Sequence, residues 1–195
     1  LTVRSTSTQG ENRYALLEND LTTVWVEFFS KNGILRVYLE KHGTYRYPEV
    51  GEAGTDHPYE TVLWQLPVDN LGAKENGGMS YVFRLGDGTF FVIDGGYYTV
   101  DEADNLYRFL ISKTPSGKKT VISGWFISHL HWDHYGAMLA FSERYAAQVE
   151  VKAFYCHFTP PADVKTAMGR WKNAETYTRL HTGMEWNLPG FHASV

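Results

Sequence analysis

Hydrophobic and polar residues change rhythm once along the chain, near residue 60. Before that point the apolar and aromatic positions come in bursts short enough for strands, at residues 14–17, 22–29 and 34–39. The last two are separated by Lys31, Asn32 and Gly33, which read as a tight hairpin turn. These bursts predict a small antiparallel β module. The polar residues 1–11 ahead of it read as a loose lead-in, and residues 48–58, with two prolines, Gly51 and Gly54, as a linker.

After residue 60 strand-like and helix-like periods alternate. Residues 61–66 and 80–85 predict strands, Gly86, Asp87 and Gly88 a turn, and residues 89–93 an almost continuous apolar strand of the kind buried on both faces. Asp94, Gly95 and Gly96 close that strand. Thr99 and Glu102 have capping-box spacing, and Ala103, Leu106, Tyr107, Leu110 and Ile111 recur with the period of a helix. A strand at 120–127 leads into a histidine-rich loop. Beyond the loop the pattern predicts a helix from about residue 136 to about 147, then a strand at 149–155. A last helix opens at Pro160 and Pro161, with Val164, Ala167, Met168, Trp171 and Ala174 on one face. The block is therefore α/β in class. The organisation expected is a β module with its linker over residues 1–55 and an α/β domain over residues 56–195.

Composition narrows the chemistry. The formal charge of −4 offers no basic field for a phosphate backbone, so electrostatics does not favour nucleic acid as a partner. No apolar run approaches the ~20 residues that span a bilayer, so no membrane insertion is expected. The ends of the chain leave the compartment open, with a lean toward the cytoplasm. A single cysteine, Cys156, excludes an internal disulfide and a thiolate-rich metal cluster, so any metal must sit on imidazole and carboxylate.

Such groups are concentrated in one place. His129, His131, Asp133 and His134 fall within six consecutive positions just after a predicted strand. Two histidines two apart in an extended or turning backbone can aim at one point. Neutral imidazoles suit a cation such as zinc, while a nearby carboxylate and a further imidazole can hold a second ion. Two ions sharing one hydroxide lower the pKa of water toward neutrality and polarise the bond under attack.

The run Ser128, His129, Leu130, His131, Trp132, Asp133, His134, Tyr135, Gly136 resembles the HxHxDH signature of the metallo-β-lactamase superfamily. The segment Gly88, Thr89, Phe90, Phe91, Val92, Ile93, Asp94, Gly95, Gly96 resembles that family's earlier motif, an apolar strand ending in Asp and Gly. The resemblance runs from about Glu60 onward and implies an αββα sandwich of which this chain carries the first half, preceded by the β module. It implies His129 and His131 as ligands of a first zinc and Asp133 and His134 of a second, with manganese or iron as alternatives. It also implies that Asp133 steers the nucleophilic water and that Asp94 supports the loop by accepting its hydrogen bonds. Read from the residues alone, a strand-ending turn residue is the lesser alternative for Asp94.

In that family a third histidine, a bridging aspartate and a last histidine follow the loop. Here His157, His181 and His192 follow it. His157 sits at a predicted strand end and His192 on a predicted final strand, which makes both candidate extra ligands; His181 reads as ending a helix, where an imidazole suits the dipole. No downstream carboxylate has the setting of a bridging ligand, Asp163 and Glu185 reading as helix-start and turn residues. A half-sandwich is expected to leave an apolar sheet face through which the chain could self-associate. The activity expected is metal-dependent hydrolysis of an ester, amide or phosphodiester bond in a small-molecule or phosphodiester substrate. The competing reading is a metal-binding or interaction fragment without turnover. A third possibility is an aromatic ligand-binding face on the front module, built from Trp25, Phe28, Phe29, Tyr38, Tyr45 and Tyr47.

Overall fold

In the computed structural model, which describes residues 1–43, 45–46, 57–68, 77–172, 177–180 and 185–194, the front of the chain is a four-stranded antiparallel meander. Strands β1 (Thr2–Gln9), β2 (Asn12–Glu18), β3 (Thr22–Phe29) and β4 (Ile34–Lys41) pair in chain order. Their turns follow local chemistry. Asn19 Oδ1 accepts from the amides of Leu21 and Thr22, and Gly33 takes the left-handed φ of 61° that ends a single 3₁₀ turn at Ser30–Asn32. In the register Leu16 stands opposite Trp25 and Trp25 opposite Tyr38. Leu16 and Trp25 are buried in the cluster that also holds the core of the larger sheet, while Leu35, Val37 and Leu39 on the other face of β4 stay exposed. The lead-in expected at residues 1–11 is instead a full strand. β1 is an edge strand and almost all of it is exposed, so it has no apolar face to write an alternation into the sequence.

The second sheet is mixed and has the order β5-β12-β11-β9-β8-β7-β6, with β10 also paired to β9. Its strands are β5 (Tyr45–Arg46), β6 (Val62–Gln65), β7 (Ser80–Arg84), β8 (Phe90–Asp94), β9 (Val121–Phe126), β10 (Glu150–Val151), β11 (Phe154–Cys156) and β12 (Tyr177–Arg179). From β8 to β5 the neighbours are parallel, and β7 and β6 add antiparallel strands at one side. The strand expected at 149–155 is split, because Lys152 and Ala153 leave the ladder between β10 and β11 while still bonding β9 through Lys152 N to Ile122 O and Trp125 N to Ala153 O. Residues 47–56, which hold most of the expected linker and the expected boundary near residue 55, lie outside the described residues. Tyr45 and Arg46, assigned from sequence to the front module, pair with the second sheet through β5.

One face of this sheet carries α1 (Val100–Lys113), α2 (Trp132–Tyr145) and α3 (Ala162–Gly169). Thr99 caps α1, its side chain accepting from Glu102 N at 3.1 Å. Trp125 fills the interface, fully buried against Phe141, Phe154 and Trp171; burial of such a side chain contributes roughly 1.5–3 kcal/mol. On the other face, Gly124 leaves room for the rings of Phe91 and Tyr155, each of which a Cβ there would meet at 2.6 Å. The hairpin of β13 (Glu185–Leu188) and β14 (Phe191–Ser194) lays Leu188 and Phe191 on that face beside Leu85 and Phe83. One helix-covered sheet with a hairpin on its second face corresponds to the first half of an αββα sandwich, with the antiparallel meander added in front.

Candidate metal centre

Strands β8 and β9 run parallel and end side by side, and the candidate site residues sit at or just past those ends. Asp94, the last residue of β8, has a left-handed φ of 57° and is fully buried. Among L residues Asp tolerates this conformation better than most, and here the backbone turn drives the carboxylate under the histidine loop. Its Oδ1 accepts from Ser128 N at 2.8 Å, its Oδ2 from Ser128 Oγ at 2.7 Å and from His134 Nδ1 at 2.8 Å, and its backbone oxygen from Trp125 Nε1 at 2.8 Å.

These bonds fix two rings. With the Ser128 hydroxyl donating to Asp94, its oxygen is left to accept from His129 Nδ1 at 3.0 Å. His134 donates its own Nδ1 proton to Asp94 directly. In both rings Nδ1 is thereby occupied and Nε2 keeps a free lone pair, the pattern by which an outer carboxylate or hydroxyl orients a metal-binding histidine. Sequence reasoning gave Ser128 no role. Nothing in the residue type distinguishes it from any small polar residue before a turn.

The helix begins earlier than its apolar pattern predicts, at Trp132 rather than near Gly136. Asp133 and His134 are therefore residues of its first turn, not of a loop. His131 is the N-cap and makes no capping bond with its side chain, so its imidazole is free of the usual duty of that position, while its carbonyl accepts from the amides of His134 and Tyr135. The ring centroids of His129 and His131 are 4.5 Å apart and those of His129 and His134 3.9 Å. Burial first, then the neighbouring His134 and His131, depress the pKa of His129 below the ordinary imidazole value, which favours the neutral ring a metal requires. His134 Nε2 lies 3.7 Å from Asp133 Oδ2.

His157 follows β11 at the surface; partial desolvation first, then Arg179 and His129, lower its pKa below the ordinary imidazole value. His192 lies on β14, exposed, with its Nδ1 2.9 Å from Asn187 Oδ1. His181 lies outside the described residues. Trp132 is 55% exposed, its ring stacked at 5.2 Å on Tyr135 and edge-on to Tyr98 at 6.1 Å, on the outer side of the helix start.

Among the described residues no three His, Cys, Asp or Glu side chains are drawn together tightly enough to hold a metal ion as they stand. The donor set still fits one. It offers imidazoles and carboxylate with no thiolate, and two ligands of a tetrahedral ion at ~2.1 Å stand about 3.4 Å apart, a few tenths of an ångström closer than His134 Nε2 and Asp133 Oδ2.

A mixed sheet backed by helices on one face, with the histidine-bearing segment at the ends of two neighbouring parallel strands, defines the class as an α/β domain. The model of the metallo-beta-lactamase superfamily matches residues 73–194, and the chain belongs to that superfamily, whose members are generally metal-dependent hydrolases. The chain matched no curated protein and no solved structure.

Proposed function

We propose that the chain provides a zinc-dependent hydrolytic site, dinuclear when complete, in which His129 and His131 serve one ion and Asp133 and His134 the other. The observation that carries this reading is the tie from Asp94 to both rings, directly to His134 and through Ser128 to His129, which leaves both Nε2 atoms unused, that of His134 3.7 Å from the Asp133 carboxylate. A bound zinc would supply Lewis acidity and a water acidic enough to ionise near neutral pH. The chain's own residues do the rest. Asp94 holds the imidazole tautomers, Asp133 accepts a proton from or orients the attacking water, and burial around His129 favours the neutral form of that ring. The bond hydrolysed is an ester, amide or phosphodiester, and the imidazole cluster does not discriminate among them.

Zinc titration with the intact chain tests this. His131→Ala is expected to lower the zinc stoichiometry by one ion, and an unchanged stoichiometry contradicts the assignment. The absence of a converged three-ligand group among the described residues favours one second reading, a domain that binds metal without turnover. Stoichiometric zinc with no hydrolysis across a panel of nitrophenyl esters and phosphodiesters would select it.

A further inference from the structure

Two adjacent glycines cross the first turn of α2 with no room for a side chain at either. A Cβ on Gly77 would stand 2.7 Å from Tyr97 Oη and 2.9 Å from Asp133 Oδ2. One on Gly78, where φ is +83°, would run into the backbone oxygen of Asp133. The glycines thus bring a phenol and the carboxylate assigned to the reacting centre to the edge of one small space. Tyr97 is also held firmly relative to α2. The amide of Ala137 bonds Gly96 O at 2.9 Å, and a Cβ on Gly136 would run into the backbone of Tyr98, so the 95–98 turn and the helix touch main chain to main chain.

Three tyrosines lie close to the motifs, and the structure separates them. Tyr98 gives its hydroxyl to Glu143, at 2.9 and 3.1 Å from the two carboxylate oxygens. Tyr135 points its hydroxyl at Asp163, 3.5 Å away, on the α3 side. The Tyr97 hydroxyl has no hydrogen-bond partner among the described residues and is the one that faces Asp133. A phenol is a donor whose proton is retained near neutral pH, and a donor fixed in advance beside a reacting centre is most effective where negative charge builds up.

We propose that Tyr97 is a catalytic residue: its hydroxyl donates a hydrogen bond to the substrate oxygen that becomes negative when the carbonyl or phosphoryl group is attacked. The water oxygen forms the new bond and gives a proton to Asp133, the bond to the leaving group breaks, and the leaving group takes a proton from solvent, to which Asp133 returns its own. Tyr97 keeps its own proton throughout. Gly77 is the companion requirement, since a side chain there would displace the Tyr97 hydroxyl and the Asp133 carboxylate that it meets at 2.7 and 2.9 Å. The proposal rests on the hydrolytic reading above.

The test is the affinity of the zinc-loaded chain for inorganic phosphate, measured by calorimetry beside its affinity for zinc. Tyr97→Phe should weaken phosphate binding about 10- to 100-fold, the cost of one hydrogen bond to a charged group, and leave zinc affinity as it was. Gly77→Ala should also weaken phosphate binding, and it supplies an independent answer should the phenylalanine variant fold poorly. With a substrate that is turned over, Tyr97→Phe should lower kcat about 100- to 1000-fold with little change in KM. Unchanged phosphate affinity in both variants overturns the proposal, as does a fall in zinc affinity that parallels the loss of phosphate. If the unsubstituted chain takes up no zinc, the hydrolytic reading and this one fall together. If it takes up zinc and both variants hold phosphate like the unsubstituted chain, only the role of Tyr97 falls.

Discussion

Asp94 satisfies three donors from a fully buried position, two on Ser128 in the loop and one on His134 in the first turn of α2. Removing its carboxylate strands all three, at roughly 1–3 kcal/mol for each buried group left unpaired. Asp94→Ala is therefore expected to destabilise the chain by about 3 kcal/mol or more in urea melts and to weaken zinc binding 10- to 100-fold. A melt that barely moves would mean that the loop is held by something else. Cys156 makes a quieter case. Burial pushes its thiol up to about 12, and the side chain is 2% exposed beneath a contact from Sγ to Phe158 O. The folded chain should resist a thiol reagent at about pH 8 and react fully once denatured, and rapid labelling of the native chain would contradict this.

The helices are joined by groups whose charge matters. Asp104 on α1 accepts from Tyr145 Oη at 2.7 Å and from Arg144 Nε at 2.8 Å, both on α2. The bond from Tyr145 chiefly, with Arg144 after it, holds the Asp104 carboxyl below the usual carboxylate range. A depressed folded value means that the unfolded chain takes up this proton first as the pH falls. The link is thus fully present above the ordinary carboxylate pKa of about 4 and is lost as pH drops through the lowered value. Thermal melts of the unsubstituted chain should fall more steeply below about pH 4 than those of Asp104→Asn, and identical slopes would show that the link carries no pH-dependent stability. At this same scale the sequence was legible wherever a local rule acts alone. Thr99 and Glu102 marked the start of α1, and the short apolar and aromatic burst around Trp25 marked β3. It was silent where partners lie elsewhere. β1 has no buried face, and the first turn of α2 is polar and carries metal-type side chains, so the apolar period starts only at Gly136. Six residues marked where the candidate site lies, but not what supports it. Ser128 and the Gly77–Gly78 crossing acquire meaning only when β8, β9 and α2 are brought together, although paired glycines ahead of a strand were a signal that a close approach was possible.

Across the whole molecule the two sheets meet through a buried charge pair. Glu40 of β4 takes Arg179 Nη1 at 3.1 Å, Tyr177 Oη at 2.8 Å and Thr159 Oγ1 at 2.5 Å, all on one oxygen, and the Arg179 guanidinium lies 4.6 Å from the Tyr38 ring centroid. With side chains 2% and 6% exposed, Arg179 and Glu40 depend on each other. Glu40→Ala should cost about 3–5 kcal/mol, because it leaves a cation buried without its counterion, whereas adding Arg179→Met should recover much of that loss. Chemical denaturation of the two variants checks both parts, and a loss under about 1 kcal/mol for the single change would show that water reaches the pair.

The same junction has a backbone counterpart in β5. Tyr45 and Arg46 run alongside Tyr177 and Thr178 and form the border of the main sheet next to β12. A shortened version starting at residue 57 would discard more than an appendage. It would unpick the hem of the sheet that carries the histidines, baring the amide and carbonyl row of β12 and leaving Arg179 without Glu40. Any trimming for expression or crystallisation should therefore keep the chain from Thr2 onward.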